Sequence, residues 1–539
     1  GSRPNQNSMK QVWDYGVGVG GPVRKDKAWF YGGARWWGSQ AYAADNYFNK
    51  ATNFYTYVPD LNRPVYVNIQ QPDYGGRLTW QMTSKQKLSL EQHYERGVAH
   101  WQGIGATTAP EATISFDYRP IHFSQGTYSY PRTNRLLMQA GVSYLRQAVQ
   151  FLSVGGADVP GRIRIADTNY PGVGSYAWGG IAGGSRSDNG DPQQADNLAY
   201  RTAVSYVTGS HALKMGLEGV RGMFNTRGNL DRGFQLNFLG GVPQSVVQFA
   251  TPFRSDGRVF NLGLYVSDQW TLKRLTLTAG ARYDNASAAA LAVDVPAGEF
   301  IGARSYPRTN DVPNYKDITP RVGAAYDLFG NGKTAIRGSW GRYLVGVGGG
   351  QLSALSPANA VLPSATRPWS DTNGNFMPDC VLTNFGANGE CGVFNVAGFG
   401  SPRVALSWDE GARKGWGIRE YNYQWSVGLQ HELRPGFGVS AGYYHTSFGN
   451  MQMQMNTALT ASAYDTYCMN APTDPRLGES SGQQVCGIPD LTFAAKTIPQ
   501  NIVQYRVADA PIPGLTGKPS DVFNGADFAM NWRFKGSGL

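Results

Sequence analysis

The stretch LGLYVSDQWTLKRLTLTAGARYD, Leu262–Asp284, decides the fold. Leu262, Leu264, Val266, Trp270 and Leu272 share one parity, while Asn261, Gly263, Ser267, Gln269 and Thr271 share the other. Successive side chains of a strand point to opposite faces, so this is one apolar and one polar face. After Lys273-Arg274 the alternation resumes, with Leu275, Leu277, Ala279, Ala281 and Tyr283 against Thr276, Thr278, Gly280, Arg282 and Asp284. A two-residue turn pairs Leu272 with Leu275 and Trp270 with Leu277, so the two apolar faces coincide. Each strand is expected to run ~10 residues, the length a tilted strand needs to cross a bilayer.

Working outward, the pattern recurs. Tyr421, Tyr423, Trp425, Val427, Leu429 and Leu433 alternate with Asn422, Gln424, Ser426, Gly428, Gln430 and Glu432. The turn Arg434-Pro435-Gly436 follows, then Phe437, Val439, Ala441 and Tyr443. Further hairpins are predicted to turn near Pro22–Lys27, Thr83–Lys87, Gly209–His211 and Phe329–Lys333, with additional strands near Arg135–Leu152, Gln235–Phe249 and Ala526–Lys535. The spacing predicts roughly 14 to 17 strands of the length outer-membrane barrels use. Connections within hairpins are short. Those between hairpins are expected to be long, at Gly38–Pro72, Gly97–Asn134, Gly155–Ala195, Asn285–Asp317, Gly346–Glu420 and Ser447–Gly525. Compact soluble domains seldom carry structureless loops beyond about 15 residues, whereas membrane barrels pair short periplasmic turns with long extracellular loops. Trp13, Trp36, Trp37, Trp80, Trp270, Trp340 and Trp425 stand near strand ends, where interfacial girdles form. A soluble sandwich or propeller would pack one face of each strand into a core. Here the second face is Gly, Ser, Thr, Gln and Arg, which suits a wet lumen. The expected fold is all-β, an antiparallel transmembrane β-barrel wall, an up-and-down meander that is incomplete and bears long extracellular loops at about 346–420 and 447–525. Leu264, Val266, Leu277, Trp425, Val427 and Leu429 should face lipid, and Gln269, Thr276, Arg282, Gln424 and Gln430 the lumen.

Composition agrees. The 539 residues include 69 Gly and only 16% charged residues, and Gly disfavours helix interiors by about 1 kcal/mol against Ala. The longest apolar run, around Ala288–Val293, ends at Asp294, far short of the ~18 residues of a transmembrane helix. The net charge of +10 is dispersed, with no Lys/Arg run longer than Arg24-Lys25. That points to a basic lumen or rim and to no nucleic-acid partner. Four cysteines fall in two local pairs, Cys380/Cys391 and Cys468/Cys486, without CxxC spacing or a His cluster. Two disulfides, each stapling one loop, fit an oxidising periplasm; zinc is the weaker reading.

One constellation has the look of a site. Asp371-Thr-Asn-Gly-Asn-Phe-Met-Pro-Asp379 places oxygens at positions 1, 3, 5 and 9, from Asp371, Asn373, Asn375 and Asp379, with the Met377 carbonyl at 7. That spacing wraps a hard cation and resembles the calcium loops of thrombospondin type 3 repeats. With only two carboxylates its affinity should be modest, and the alternative is a polar turn braced by Cys380–Cys391. No cofactor is otherwise required. Enzyme signatures fail on context: Gly16-x-Gly18-x-x-Gly21 lies in a strand before Pro22, with no helix to receive a phosphate. Gly438-Val-Ser440-Ala-Gly442 is mid-strand and Gly478-Glu-Ser480-Ser-Gly482 mid-loop, neither a strand-to-helix elbow. The six His show no metal spacing, and no catalytic set emerges.

Five segments, in order, resemble recurring signatures of TonB-dependent receptors, in the subgroup with a carboxypeptidase-regulatory-like N-terminal domain. They are GVGGPVRKDKAWFYGGAR (Gly18–Arg35), GGRLTWQMTSKQKLSL (Gly75–Leu90), SYVTGSHALKMG (Ser205–Gly216), YVSDQWTLKRLTLTAGARYD (Tyr265–Asp284) and TPRVGAAYDLFGNGKTAIRGSWGRY (Thr319–Tyr343). The resemblance implies a plugged barrel of about 22 strands in the bacterial outer membrane, and energy-coupled uptake driven by an inner-membrane TonB-type complex. It also implies contact with outer-membrane lipid and with an extracellular substrate of the siderophore, glycan or peptide class. The alternative is a passive channel or a surface adhesin on the same wall. Residues 1–539 are expected to form a partial barrel, without a plug or coupling box before Gly1 and without further strands after the turn at Lys535–Gly538. The strands at Val12–Gly21 and Ala526–Lys535 are accordingly expected not to pair with each other.

Overall fold

The computed structural model describes residues 7–52, 55–153, 163–171, 174–180, 193–230, 232–402, 406–498, 501–507 and 520–533. They form two compact units, one from Gly1–Asn314, Pro320–Tyr326 and Val347–Arg403, the other from Tyr315–Thr319, Asp327–Gly346 and Val404–Leu539.

The first unit holds β1 (Ser8–Arg24), β2 (Ala28–Asn49), β3 (Pro59–Gln81), β4 (Lys87–Glu95), β5 (Val98–Gln102), β6 (Ile114–Pro131), β7 (Leu136–Ser153), β8 (Arg164–Tyr170), β9 (Gly174–Trp178), β10 (Gln193–Thr208), β11 (His211–Gly228), β12 (Phe234–Leu239), β13 (Val242–Phe249), β14 (Phe253–Leu272), β15 (Leu275–Ala290), β16 (Val293–Val295) and β17 (Arg304–Tyr306). β18 (Thr309–Asp327) contributes residues to both units; β19 (Thr334–Leu344) belongs to the second and β20 (Ser364–Pro368) to the first. The second unit continues with β21 (Ser407–Trp408), β22 (Lys414–Trp416), β23 (Tyr421–Arg434), β24 (Phe437–Gly449), β25 (Gln452–Asn456), β26 (Tyr464–Asn470), β27 (Gln484–Leu491), β28 (Ile502–Arg506) and β29 (Val522–Trp532).

The wall of the first unit is an antiparallel meander. β1 pairs with β2, β2 with β3, β3 with β4 and its continuation β5, and these with β6. β6 then pairs with β7, β7 with β10, β10 with β11, β11 with β14, and β14 with β15. The register is the expected one: Leu272 faces Leu275 and Trp270 faces Leu277. Leu264 and Val266 are 43% and 49% exposed and lie beside Leu217 and Met215 of β11. The opposite parity carries Lys214, Glu218, Gln269, Thr276, Arg282 and Asp284. A cavity of about 740 Å³ on that polar face is bordered by seven strands, from β3 to β14, so the polar face is concave. Within its unit, and among the described residues, β1 is paired along one edge only.

Two wall expectations need correction. Strands are longer than the ~10 residues a membrane crossing requires; β2, β3 and β14 have 22, 23 and 20. Much of Gly38–Pro72 and Gly97–Asn134 is therefore strand, with β2 running to Asn49, β3 starting at Pro59 and β6 at Ile114. The second correction concerns Gln235–Phe249, which leaves the wall. It forms β12 and β13, joined to β20, β8 and β9 in a separate sheet ordered β20-β13-β12-β8-β9. Phe234, Leu236, Phe238 and Val246 bury against Ile165, Trp178 and Trp369 there. A period-2 pattern reads the same whether its apolar face meets lipid or a protein core. The hairpin turn Gly240-Gly241 has φ of 60° and 82°, as a two-residue turn demands. The buried Asp167 accepts from both their amides, at 2.8 and 2.7 Å.

In the second unit β19 pairs with β23, β23 with β24 and β24 with β29. Trp340, Trp425, Val427 and Leu429 alternate with Gln424 and Gln430, again on opposite parities. Phe528 and Met530 extend the apolar face at 84% and 76% exposure; the expected strand residues beyond Arg533, Phe534 and Lys535 included, lie outside the described residues. β26 and β27 form a separate hairpin stapled by Cys468–Cys486, Cα to Cα 4.0 Å. The other predicted disulfide, Cys380–Cys391, is present with Cα atoms 5.9 Å apart.

The outward face should report depth. Val266→Arg, six residues from its turn, should destabilise the protein in bilayers by about 2–4 kcal/mol, and Leu277→Arg, close to the turn, by about 0–1. Equilibrium unfolding in lipid vesicles reads both, and equal small losses would mean this face meets water. Replacing Cys380 and Cys391 together by Ser should remove about 3 kcal/mol of loop-closure stabilisation in the chain-entropy model, read as faster proteolysis within 370–394 while the wall stays resistant.

Candidate functional site

The polar face of the first unit carries several ion pairs. Asp14 on β1 receives two bonds from Arg35 on β2, at 2.9 and 2.6 Å. Trp37 falls on this parity, opposite Asp14, so it faces the lumen and not the girdle expected of it. On β4, Glu91 binds His93 Nε2 at 2.8 Å, and His93 Nδ1 lies 3.7 Å from Asp73. Arg282 on β15 holds both Asp284, at 2.7 Å, and Glu218 of β11. Glycines let these long side chains lie along the wall. Gly141 sits directly across from Arg201, and a Cβ there would stand 3.2 Å from the Arg201 Nε. Gly216 faces Tyr265, whose hydroxyl would lie 2.5 Å from a Cβ.

The candidate cation loop lies beside the β20 sheet. Asp371 accepts from the amides of Gly374 and Phe376, at 2.8 and 2.9 Å. Asn373 accepts from Asn375 N at 3.0 Å and Asn375 from Met377 N at 2.7 Å, while both Asn side-chain amides donate to Asp379. These Asx turns wrap the chain tightly, and the side-chain oxygens of Asp371, Asn373, Asn375 and Asp379 accept from the loop's own N–H groups. Among the described residues no three His, Cys, Asp or Glu side chains converge as a metal centre. The residue missed from sequence is Glu390. It accepts from Thr372 Oγ1 at 2.5 Å, Thr372 N at 2.6 Å, Asp379 N at 3.1 Å and Trp369 Nε1 at 3.3 Å. The Thr372 hydroxyl, then the amides of Thr372 and Asp379, hold its carboxyl down at about 2. Below the disulfide, the wholly buried Arg367 donates to the carbonyls of Gly392, Asn384 and Gly386 at 2.9, 2.8 and 2.5 Å. Phe376, at φ 60°, anchors the loop by stacking on Tyr55, centroids 6.0 Å apart.

The enzyme-like strings fall where the sequence places them. Gly16, Gly18 and Gly21 lie within β1, Gly438–Gly442 within β24, and Gly478–Gly482 on a 3₁₀ turn and its exit. His211 stacks on Trp270, centroids 5.3 Å apart, and its Nδ1 lies 2.6 Å from Asp268, a carboxylate on the apolar parity close to the turn. His431 Nδ1 lies 2.8 Å from Thr334 Oγ1, and His445 Nδ1 lies 2.8 Å from Asn524. The histidines thus pin neighbouring strands together.

Comparison with known proteins places this geometry. The family model described as "Outer membrane beta barrel domain" matches residues 39–474. No match was found among curated proteins. Solved structures with a similar trace include the outer membrane transporter YddB from Escherichia coli, at 12% identity and a TM-score of 0.48, covering 83% of this chain and 48% of that one. The siderophore receptor PirA from Acinetobacter baumannii aligns at 11% and 0.47, over 98% of this chain and 59% of that. A mutant of the ferric enterobactin receptor PfeA from Pseudomonas aeruginosa aligns at 12% and 0.47, over 97% and 58%. This chain therefore spans about half to three fifths of the length of these structures. With an apolar-out, polar-in meander and a family model across most of its length, the chain belongs to the outer-membrane β-barrel domain family and is a protein of the bacterial outer membrane.

Proposed function

We propose that this wall belongs to an energy-coupled receptor of the TonB-dependent kind, importing a siderophore, glycan or peptide too large or too scarce for passive diffusion. The observation that carries the reading is the union of two features in the first unit. One is a concave face lined with ion pairs, fit for a wet or plug-filled lumen. The other is a loop region folded into its own sheet and core, in place of loose connections. A passive pore needs no such packed structure above its mouth. The exposed, stapled hairpin of β26 and β27, with Tyr467, Met469 and Val485 outward, favours the second reading, a surface adhesin.

Calcium at Asp371–Asp379 stands as a companion proposal. Binding would turn Asn373 and Asn375 oxygens toward the ion beside Asp371, Asp379 and the Met377 carbonyl, at the weak affinities of extracellular modules, on the order of 10⁻⁴–10⁻³ M. Glu390 would hold the loop closed without touching the ion.

Cells producing the full-length protein should accumulate labelled ferric siderophore, oligosaccharide or peptide only while the inner-membrane coupling complex and proton gradient are intact. Uptake that survives a protonophore would instead support a passive channel. Calcium at millimolar concentration should slow hydrogen exchange over 371–379, and Asp371→Asn should abolish the effect; no slowing would leave a plain polar turn. Glu390 is a carboxylate with a depressed pKa, so its contribution to stability is complete above its ordinary value near 4.5 and is lost as pH falls toward about 2. The protection factor over 369–390, which removes the intrinsic pH dependence of exchange, should accordingly stay high at pH 5 and fall below pH 4, whereas Glu390→Gln should show low protection at both.

A further inference from the structure

The acids and bases of the first unit's lumen are not evenly matched. The cavity of about 740 Å³ is lined by Arg77, Lys87, Arg201 and Lys214, with Glu218 as its only acid among the described residues. Two of these cations have a carboxylate directly across the ladder, and each carboxylate is taken by another base. Arg77 of β3 stands opposite Glu91 of β4, but Glu91 is bound by His93 at 2.8 Å. Arg201 of β10 stands opposite Glu218 of β11, but Glu218 is bound by Arg282 of β15. Lys87 faces Gln81 and Ser129, and Lys214 faces Ser205 and Ser267, so neither has an acid across from it. The cavity thus lines up four cations against one carboxylate, and the acids across from Arg77 and Arg201 are hydrogen-bonded to other side chains. Enclosed walls focus such a field and raise the local concentration of anions, while hydroxyls such as Thr79, Ser89 and Thr127 supply donors at the same surface.

We infer that this cavity is a binding site for a multivalent oxyanion, a solute bearing several carboxylates or phosphates, held by Arg77, Lys87, Arg201 and Lys214. Arg201 packs across Gly141, its Nε 3.2 Å from where a Cβ would stand, and a guanidinium is a planar fork suited to bidentate capture of a carboxylate or phosphate. The inference deepens the uptake reading by giving the charge of the cargo. Its test reads binding and not transport, so either can fail alone.

Citrate and inorganic tripolyphosphate are the two probes, titrated calorimetrically into the whole chain in detergent at low and raised salt. One or both should bind at submillimolar concentration, with affinity falling as salt rises, and the preferred probe distinguishes carboxylate from phosphate cargo. The double variant Arg201→Gln, Lys214→Gln should lose at least tenfold. Arg201→Lys should lose much less, and Lys273→Gln with Arg274→Gln, at a turn outside the cavity, should bind as the unaltered chain does. His93→Gln removes no cavity cation but releases Glu91 toward Arg77, so it should weaken binding severalfold; it serves where the double variant fails to fold. The inference is overturned if neither anion binds at millimolar concentration, or if the turn variant loses as much as the cavity variant. It is equally overturned if both His93→Gln and the folded double variant bind normally. Poly-L-glutamate binding where both small anions fail would also overturn it, assigning the cavity to an acidic polypeptide.

Discussion

Hydrocarbon offers no hydrogen-bond partner, so every backbone N–H and C=O inside it must be satisfied by the chain itself. The antiparallel ladder that runs from β1 through β15 does this strand by strand. Once the ladder is fixed, side-chain parity follows without further choice. Leu264 cannot face lipid unless Tyr265 faces the lumen, and a slip of one residue would carry Arg282 and Glu218 into the membrane. Register and solvent are thus one constraint. The wall tolerates Asp268 on the apolar parity because it lies close to the turn and is met by His211, itself stacked on Trp270.

The ladder also decides where glycine is needed. Long polar side chains on a concave face crowd one another unless the residue opposite is small. Gly141 under Arg201 and Gly216 under Tyr265 remove that crowding, and the large side chain covers the backbone that the glycine exposes. Glycine content that argues against helix in composition becomes, in the wall, a set of seats for charged and aromatic side chains.

Legibility tracks the solvent. The hairpin Trp270–Leu277 was readable to the residue because lipid and lumen impose opposite chemistry on its two parities. Ser39–Asn49 was not, since its residues carry no period-2 contrast of apolar and polar side chains, and its pairing with β3 shifts register after Tyr42. Phe234, Leu236 and Phe238 showed the right period and the wrong partner, their apolar face meeting Trp369 and Ile165 in place of lipid. Trp37 is a girdle residue by type, but its parity with Arg35, opposite Asp14, turns it to the lumen. Both disulfides were legible from local spacing. Glu390 had no local signal, for it reaches Thr372 and Asp379 only after the chain returns through the Cys380–Cys391 loop.

The two polar environments of the first unit obey different rules. Within the β20 sheet, Arg367 and Asp167 are wholly buried, and each is met by three backbone groups. An unmet charge there would carry a heavy desolvation penalty, so both charges are held by backbone groups. The lumen wall borders solvent, where an unpaired Lys or Arg is inexpensive. Cations can stay free there, and an acid can bind a base other than the one across the ladder, as Glu218 binds Arg282 two strands away and Glu91 binds His93 on its own strand. Fixed backbone partners therefore serve the buried charges of the separate sheet, and surplus cations line the wall.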